Sequence, residues 1–254
     1  MRIVISKTAE DLGRRAADAA EIIIKEAIEK KGEARIILST GASQFETLKH
    51  LTERDIDWSK VTMFHLDEYV NLPETHPASF RKYLEERFVA KTNVGRAYFV
   101  DGTKENIAFL TEEIRKSPVD LGIVGIGVNS HIAFNDPPAD FETKDAYIIV
   151  DLDETCRNQQ VGEGWFATFD DVPKQAVSMS VYQIMQCINI VTAVPHAEKA
   201  WAIEHTLKSE LTNLIPATML KMHDSWQLFT DANSHKDAKE IKAIHTEAVV
   251  EDYR

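Results

Sequence analysis

Residues 121–138 read LGIVGIGVNSHIAFNDPP, and the fold is decided in this stretch. The β-rich apolar run 121–126, with Gly122 and Gly125 inside it, predicts a buried strand. A small-residue turn follows and brings Asn129, His131, Asn135 and Asp136 close together. An apolar strand that delivers polar groups at its carboxyl end is how an open α/β sheet presents chemistry. A plain βα turn would account for Gly127 and for the Pro137-Pro138 break. It would not require an imidazole framed by an amide and a carboxylate, so His131 is a candidate for proton transfer.

Working outward, strands are predicted over 2–6, 35–38, 61–66 and 97–100 before this stretch, and over 147–152, 175–180, 187–192 and 226–230 after it. Helical patterns cover 8–30, 79–88, 104–116, 197–207 and 216–220, and Phe45, Leu48 and Leu51 mark another apolar face. Thr8 and Asp11 form an expected capping box at the start of the first helix. Residues 153–167 are too rich in glycine and amides to assign. The alternation predicts a doubly wound, mostly parallel open sheet with helices on both faces, as one domain over 1–254.

Composition bounds the function. A chain of 254 residues with 44% hydrophobic and 28% charged residues can bury a large core and is not a disordered polymer. Its net charge of -12 argues against a general grip on nucleic acid but leaves room for a local phosphate pocket. Cys156 and Cys187 make no disulfide framework and no CxxC pattern. His196, His205, His223, His235 and His245 are scattered, with no HExxH and no closely spaced His/Cys set, so no metal is expected. No segment is long and apolar enough to span a bilayer and no leader is visible at the start, so the expectation is a cytoplasmic protein without membrane contact.

Further candidates sit at the ends of predicted strands. After 35–38 comes Ser39-Thr40-Gly41-Ala42-Ser43, where helix-start amides and hydroxyls could hold phosphate oxygens. It lacks the lysine and spacing of a Walker loop and any GxGxxG, and an ordinary capped turn reads equally well. Asp67 is the first carboxylate beyond 61–66 and could face the same rim, with Glu68 turned elsewhere; both could also merely begin a solvated loop. His65 reads as packing support. Lys199 lies near a helix start, where it could supplement phosphate-binding amides or simply be a surface lysine. Trp165 could line a sugar pocket or be buried in a loop hinge.

HLDEYVNLP at 65–73, GIGVNSHIAFNDP at 125–137, VPHAEKAWAI at 194–203 and LIPATMLKMHD at 214–224 resemble the glucosamine-6-phosphate deaminase (glucosamine-6-phosphate isomerase) family, in order and across essentially the whole chain. The resemblance implies a modified Rossmann-like α/β fold without a nicotinamide cofactor or any other, and without a metal. It implies conversion of glucosamine 6-phosphate and water to fructose 6-phosphate and ammonia, hence the class hydrolase and a role in carbohydrate metabolism. It makes Asp67 the base that moves a proton between C2 and C1, His131 the group that assists ring opening, and Asp136 the carboxylate that orients it. Asn129 belongs to the same catalytic shell. Ser39, Thr40, Gly41, Ser43 and Lys199 become the phosphate site, a phosphorylated amino sugar the partner, and a homo-oligomer a possible assembly.

This chain also departs from the family pattern. Asn129 stands where aspartate is common; it can orient His131 by a hydrogen bond but offers no charge. Asp136 replaces a frequent glutamate, STGAS replaces a more glycine-rich turn, and an expected arginine has no secure equivalent, with Arg157 a nearby candidate. Ala146 and Ile148 stand where allosteric members carry basic residues. Two other readings use the same residues: a 6-phosphogluconolactonase-like enzyme, which would not need Asp67 to transfer a C2 proton, and a sugar-phosphate sensor without turnover.

Overall fold

The structure, a computed structural model, describes residues 1–242 and 247–254, so His245 lies outside the described residues. In β1 (Arg2–Ser6), Val4 enters one core layer while Ile3 and Ile5 enter the other. That alternation is the signature of a strand buried on both faces. Helix α1 (Ala9–Lys31) starts at Thr8, whose hydroxyl accepts the Asp11 N–H at 3.1 Å. The expected capping box is only half formed, because the Asp11 carboxylate turns to Arg14 and to Arg15, whose Nε is 3.0 Å away, on the next turn of the helix. The alanine-rich face of α1, with Ala16, Ala17, Ala20 and Ile24 fully buried, lies against the sheet.

The alternation repeats in β2 (Ala34–Leu38), where Ile36 and Leu38 face the α1 side and Ile37 the opposite layer. Then come α2 (Phe45–Thr52), β3 (Val61–His65), β4 (Asp67–Tyr69), and α3 (Phe80–Leu84), which runs through a π-helical turn at Glu85–Val89 into α4 (Ala90–Thr92). The chain continues with β5 (Arg96–Tyr98), α5 (Lys104–Arg115), β6 (Leu121–Val124), β7 (Tyr147–Asp151), α6 (Glu154–Gly162) and β8 (Gln175–Met179). The last elements are α7 (Val181–Ile184), β9 (Asn189–Val194), α8 (Ala200–Lys208), β10 (Trp226–Asp231) and β11 (Val249–Asp252). No helix among the described residues is long and apolar enough to cross a membrane.

The main sheet runs β11-β1-β10-β9-β6-β2-β3-β5, with every pairing parallel and a buried apolar layer on each face. Strand β6 lies between β9 and β2, so its carboxyl end opens onto the crevice between two other strand ends. The stretches 147–152 and 175–180 do not join this sheet. They form β7 and β8 of a separate antiparallel sheet, order β4-β8-β7. Asp67-Glu68-Tyr69 is therefore strand rather than loop: the chain leaves the main sheet after His65, and Leu66 accepts the Met179 N–H at 2.9 Å. The unassigned region 153–167 contains α6, whose burial is confined to Cys156, Arg157 and Gln160.

Candidate active site

The turn after β2 is tied to the sheet by its first residue, as the Ser39 N–H donates to Ile123 O at 2.9 Å. Gly41 has φ 93°, a backbone region where a side chain is strained, and its carbonyl accepts the Tyr83 hydroxyl at 3.0 Å. Residues Ala42–Gln44 form a 3₁₀ turn before α2, and the first amides of such a turn have no acceptor within it. Gln44, fully buried, donates its amide to Ala193 O at 3.0 Å and so locks the turn to the end of β9. The Ser39 hydroxyl is buried and has no hydrogen-bond partner among the described residues.

Beyond β9 the chain turns at His196, φ 80°, whose N–H donates to Asp231 Oδ2 at 3.2 Å. That turn brings Lys199 in at the head of α8 with 5% exposure, not as a surface lysine. Its N–H donates to His196 O at 3.2 Å, but among the described residues its ammonium makes no ion pair and no hydrogen bond. Burial lowers its pKa, opposed by the nearby carboxylates of Glu163 and Glu198.

Asp67, at the junction of the two sheets, is 6% exposed. Burial, reinforced by neighbouring Glu68, pushes its pKa up to about 8. Glu68 points away from it, as strand alternation requires, but into protein rather than solvent. Its carboxylate accepts the Ser79 hydroxyl and the Arg81 N–H, each at 2.9 Å, and the Phe80 N–H at 3.2 Å, fixing the start of α3. Burial pushes the Glu68 pKa up and these donors oppose it. His65 is the support residue expected: burial lowers its pKa to about 3, and its ring meets Phe99 edge-on.

The loop after β6 folds back on itself, Gly127 N–H donating to His131 O at 2.8 Å, with Ser130 at φ 69°. The imidazole lies so close to Gly127 that a Cβ there would sit 2.2 Å from its Nε2. His131 Nδ1 stands 2.9 Å from Asp136 Oδ1. Asn129 does not hold the imidazole, contrary to expectation. Its amide donates to the same Asp136 Oδ1 at 3.1 Å and its carbonyl accepts the His131 backbone N–H at 3.2 Å. A two-residue separation lets the short Asn side chain reach backbone more readily than the ring. Burial raises the Asp136 pKa, but His131 and the Asn129 amide outweigh it and hold the carboxyl below its ordinary value. The loop is anchored to β8: the Ser178 hydroxyl accepts the Phe134 N–H at 3.0 Å and the Asn135 amide at 3.3 Å.

These pieces enclose a cavity of about 130 Å³ whose walls include Ser39, Thr40, Gly41, Ser43, Asp67, His131 and Lys199. Asn129 and Asp136 are not on its wall; Asp136 stands behind the imidazole. Gln159, Gln160, Glu163 and His196 also line it and were not foreseen. The proline-histidine turn after β9 was the available signal for His196. Nothing local marked α6. Arg157 is not in the cavity: its guanidinium donates to Phe169 O at 2.8 Å and Val172 O at 3.1 Å, and lies over the Phe169 ring. Trp165 lines a smaller neighbouring cavity and donates to Glu163 at 3.1 Å.

Residues 7–229 match the model of the family described as glucosamine-6-phosphate isomerases/6-phosphogluconolactonase. The chain belongs to that family. Among members, a glucosamine-6-phosphate deaminase of Thermoanaerobacter sp. (strain X514) is 32% identical over 260 aligned positions, spanning 96% of this chain and 100% of its own. One from Oenococcus oeni is 32% identical over 213 positions, 82% of this chain and 88% of its own. The solved structure of a monomeric glucosamine-6-phosphate deaminase superposes with TM-score 0.85 at 24% identity, covering 93% of this chain and all, 100%, of that one. A 6-phosphogluconolactonase from Thermotoga maritima superposes at 0.74 with 15% identity, over 91% of this chain and 100% of its own. At those identities the superpositions establish the fold alone. The expected class hydrolase is corrected by the names, which are deaminase for the relatives and isomerase in the family description; the solved lactonase structure matches this chain in fold only.

Proposed function

We propose that this chain is a glucosamine-6-phosphate deaminase, converting glucosamine 6-phosphate and water to fructose 6-phosphate and ammonia. The observation that carries the reading is one cavity shared by a buried carboxylate whose pKa is raised to about 8, an imidazole backed by a second carboxylate, and a buried lysine whose ammonium has no hydrogen bond or ion pair among the described residues. Relatives of that name, aligned over almost the whole chain, support it. Ser39, Thr40, Gly41, Ser43 and Lys199 take the phosphate. His131, oriented through Nδ1 by Asp136, presents Nε2 to the sugar and assists ring opening. Asp67 then removes the C2 proton to give an enolamine and returns it to C1. Water adds to the resulting C2 imine and ammonia departs. A base with a pKa near the working pH suits a step in which the same group must first accept and then give back a proton.

The same reading makes a phosphorylated amino sugar the partner and the chain one cytoplasmic domain, with a homo-oligomer as a possible assembly. The decisive experiment incubates the purified chain with glucosamine 6-phosphate and measures fructose 6-phosphate and ammonia together. Equimolar appearance of both is expected. Binding of the sugar phosphate without either product would overturn the assignment.

A further inference from the structure

Behind the imidazole, three chemically different ligands converge. His131 Nδ1, an oxygen of Asp136 and Sγ of Cys156 lie within 4.8 Å of one another. Cys156 comes from the first turn of α6, where its N–H is capped by Asp153 at 2.6 Å, and is fully buried. The Asp136 side chain is 9% exposed; its second oxygen, Oδ2, is buried with no close hydrogen bond among the described residues, and the Cys156 thiol faces the carboxylate. The deamination chemistry uses neither that oxygen nor the thiol.

We infer that His131, Asp136 and Cys156 form a site for a thiophilic divalent cation, with Zn²⁺ as the best fit, and that filling it takes His131 out of proton transfer. One nitrogen, one oxygen and one sulfur ligand is a zinc-type donor set, with a fourth position left to water. Calcium and magnesium prefer oxygen shells, which the thiol cannot supply. Bonds of about 2.0–2.3 Å in a tetrahedral shell set ligand atoms roughly 3.3–3.7 Å apart, so atoms that lie within 4.8 Å of one another reach a shared ion by side-chain adjustment. Binding releases the thiol proton to solvent, and thiolate, carboxylate and a divalent cation sum to zero charge in a buried place. The imidazole binds neutral through Nδ1, with its proton on Nε2. So held, it can donate from Nε2 but cannot accept, and the shuttle stops. The inhibitory half rests on the ring-opening role given to His131; the binding half does not.

The test is titration of the chelator-stripped full chain with Co²⁺, followed by displacement with Zn²⁺. One equivalent should give a near-ultraviolet thiolate-to-cobalt band that Zn²⁺ abolishes. Cys156→Ser should lose the band and weaken Zn²⁺ binding by at least about tenfold, and Cys156→Ala should do the same, with thermal unfolding confirming that each variant is folded. The other such group among the described residues, Glu10, Glu46 and His50, has no sulfur and cannot produce the band. Absence of the band in wild type, or equal Zn²⁺ affinity in the folded variants, would overturn the site. Deaminase activity that persists at saturating Zn²⁺ would overturn the inhibitory half. A chain with no turnover at all would sink the deaminase reading and that half with it, while the cobalt titration still decides the metal site.

Discussion

Replacing Lys199 by Met keeps the side chain's length and bulk and removes only its charge. In the free protein that charge is a liability: Lys199 is 5% exposed and has no protein partner among the described residues. Its folded pKa lies below the ordinary 10.5, so the protonated lysine weakens the fold at neutral pH. The unfolded chain binds the extra proton between the folded pKa and that value, so the weakness lifts as pH rises through the interval. Lys199→Met should therefore melt higher than wild type at pH 7, with the gap closing toward pH 10.5. With phosphate bound the sign reverses. A charge-assisted hydrogen bond is worth roughly 1.5–3 kcal/mol, about 10- to 150-fold in Kd. Glu163 and Glu198 line the same cavity and would then face the phosphate unopposed, which places the loss in the upper part of that range. Calorimetry with glucosamine 6-phosphate and with glucosamine, alongside melting curves at both pH values, measures both effects. Equal losses for the two ligands, or a lower melting temperature at neutral pH, would refute the assignment.

Asp67→Asn should lower kcat by about 10²–10⁴ while sparing sugar-phosphate binding, and a folded variant with normal kcat would remove Asp67 from the chemistry. Since burial raises the Asp67 pKa to about 8, wild-type kcat/KM should fall about tenfold per pH unit below that value. Ionising a buried carboxyl also costs stability, so the same variant should gain stability over wild type as pH rises from the ordinary 3.8 to about 8, and no further above it, in thermal melts. Gly127→Ala places a methyl 2.2 Å from the His131 ring, and steady-state kinetics should show a drop in kcat of about a hundredfold; near-normal turnover would show that this packing does not aim the imidazole. Asn129→Asp replaces a donor 3.1 Å from Asp136 by a like charge, so the Asp136 pKa, now held below its ordinary value, should rise in a carboxyl ¹³C NMR titration. An unmoved Asp136 would refute the proposed contact.

What was legible in the sequence follows from what is local. The run before Gly127 is apolar because β6 is buried on both faces, and its carboxyl end is where polar residues must appear; both facts are written in consecutive letters. Sheet membership is not. Residues 147–151 and 175–179 are recognisable strands, but only the whole chain decides that they pair with each other, and 175–179 also with Asp67–Tyr69, and not with β6. Glu68 looks like the start of a solvated loop because its partners, Ser79 to Arg81, lie a long loop away. Helix α6 was invisible since its apolar face is little more than Cys156, and edge strand β11 because its residues are largely exposed. The contact of Asn129 with Asp136 and not with the imidazole depends on the backbone path through Ser130, which residue identities do not carry.

Ser178 has a consequence for how errors spread through the site. Its backbone is the ladder partner of Asp67, and its hydroxyl holds Phe134 and Asn135 in the loop that carries His131. The proposed base and the imidazole are thus both dimensioned from one shared datum on β8, whereas the proposed phosphate cradle is dimensioned from β2, β6 and β9 through Ser39 and Gln44. A distortion of β8 carries Asp67 and His131 together, so their mutual spacing is protected while their distance to the proposed cradle absorbs the whole displacement. On the proposed reading, tolerance in this enzyme is accordingly spent along the length of the sugar, between phosphate and reacting carbons, and not across the pair Asp67 and His131.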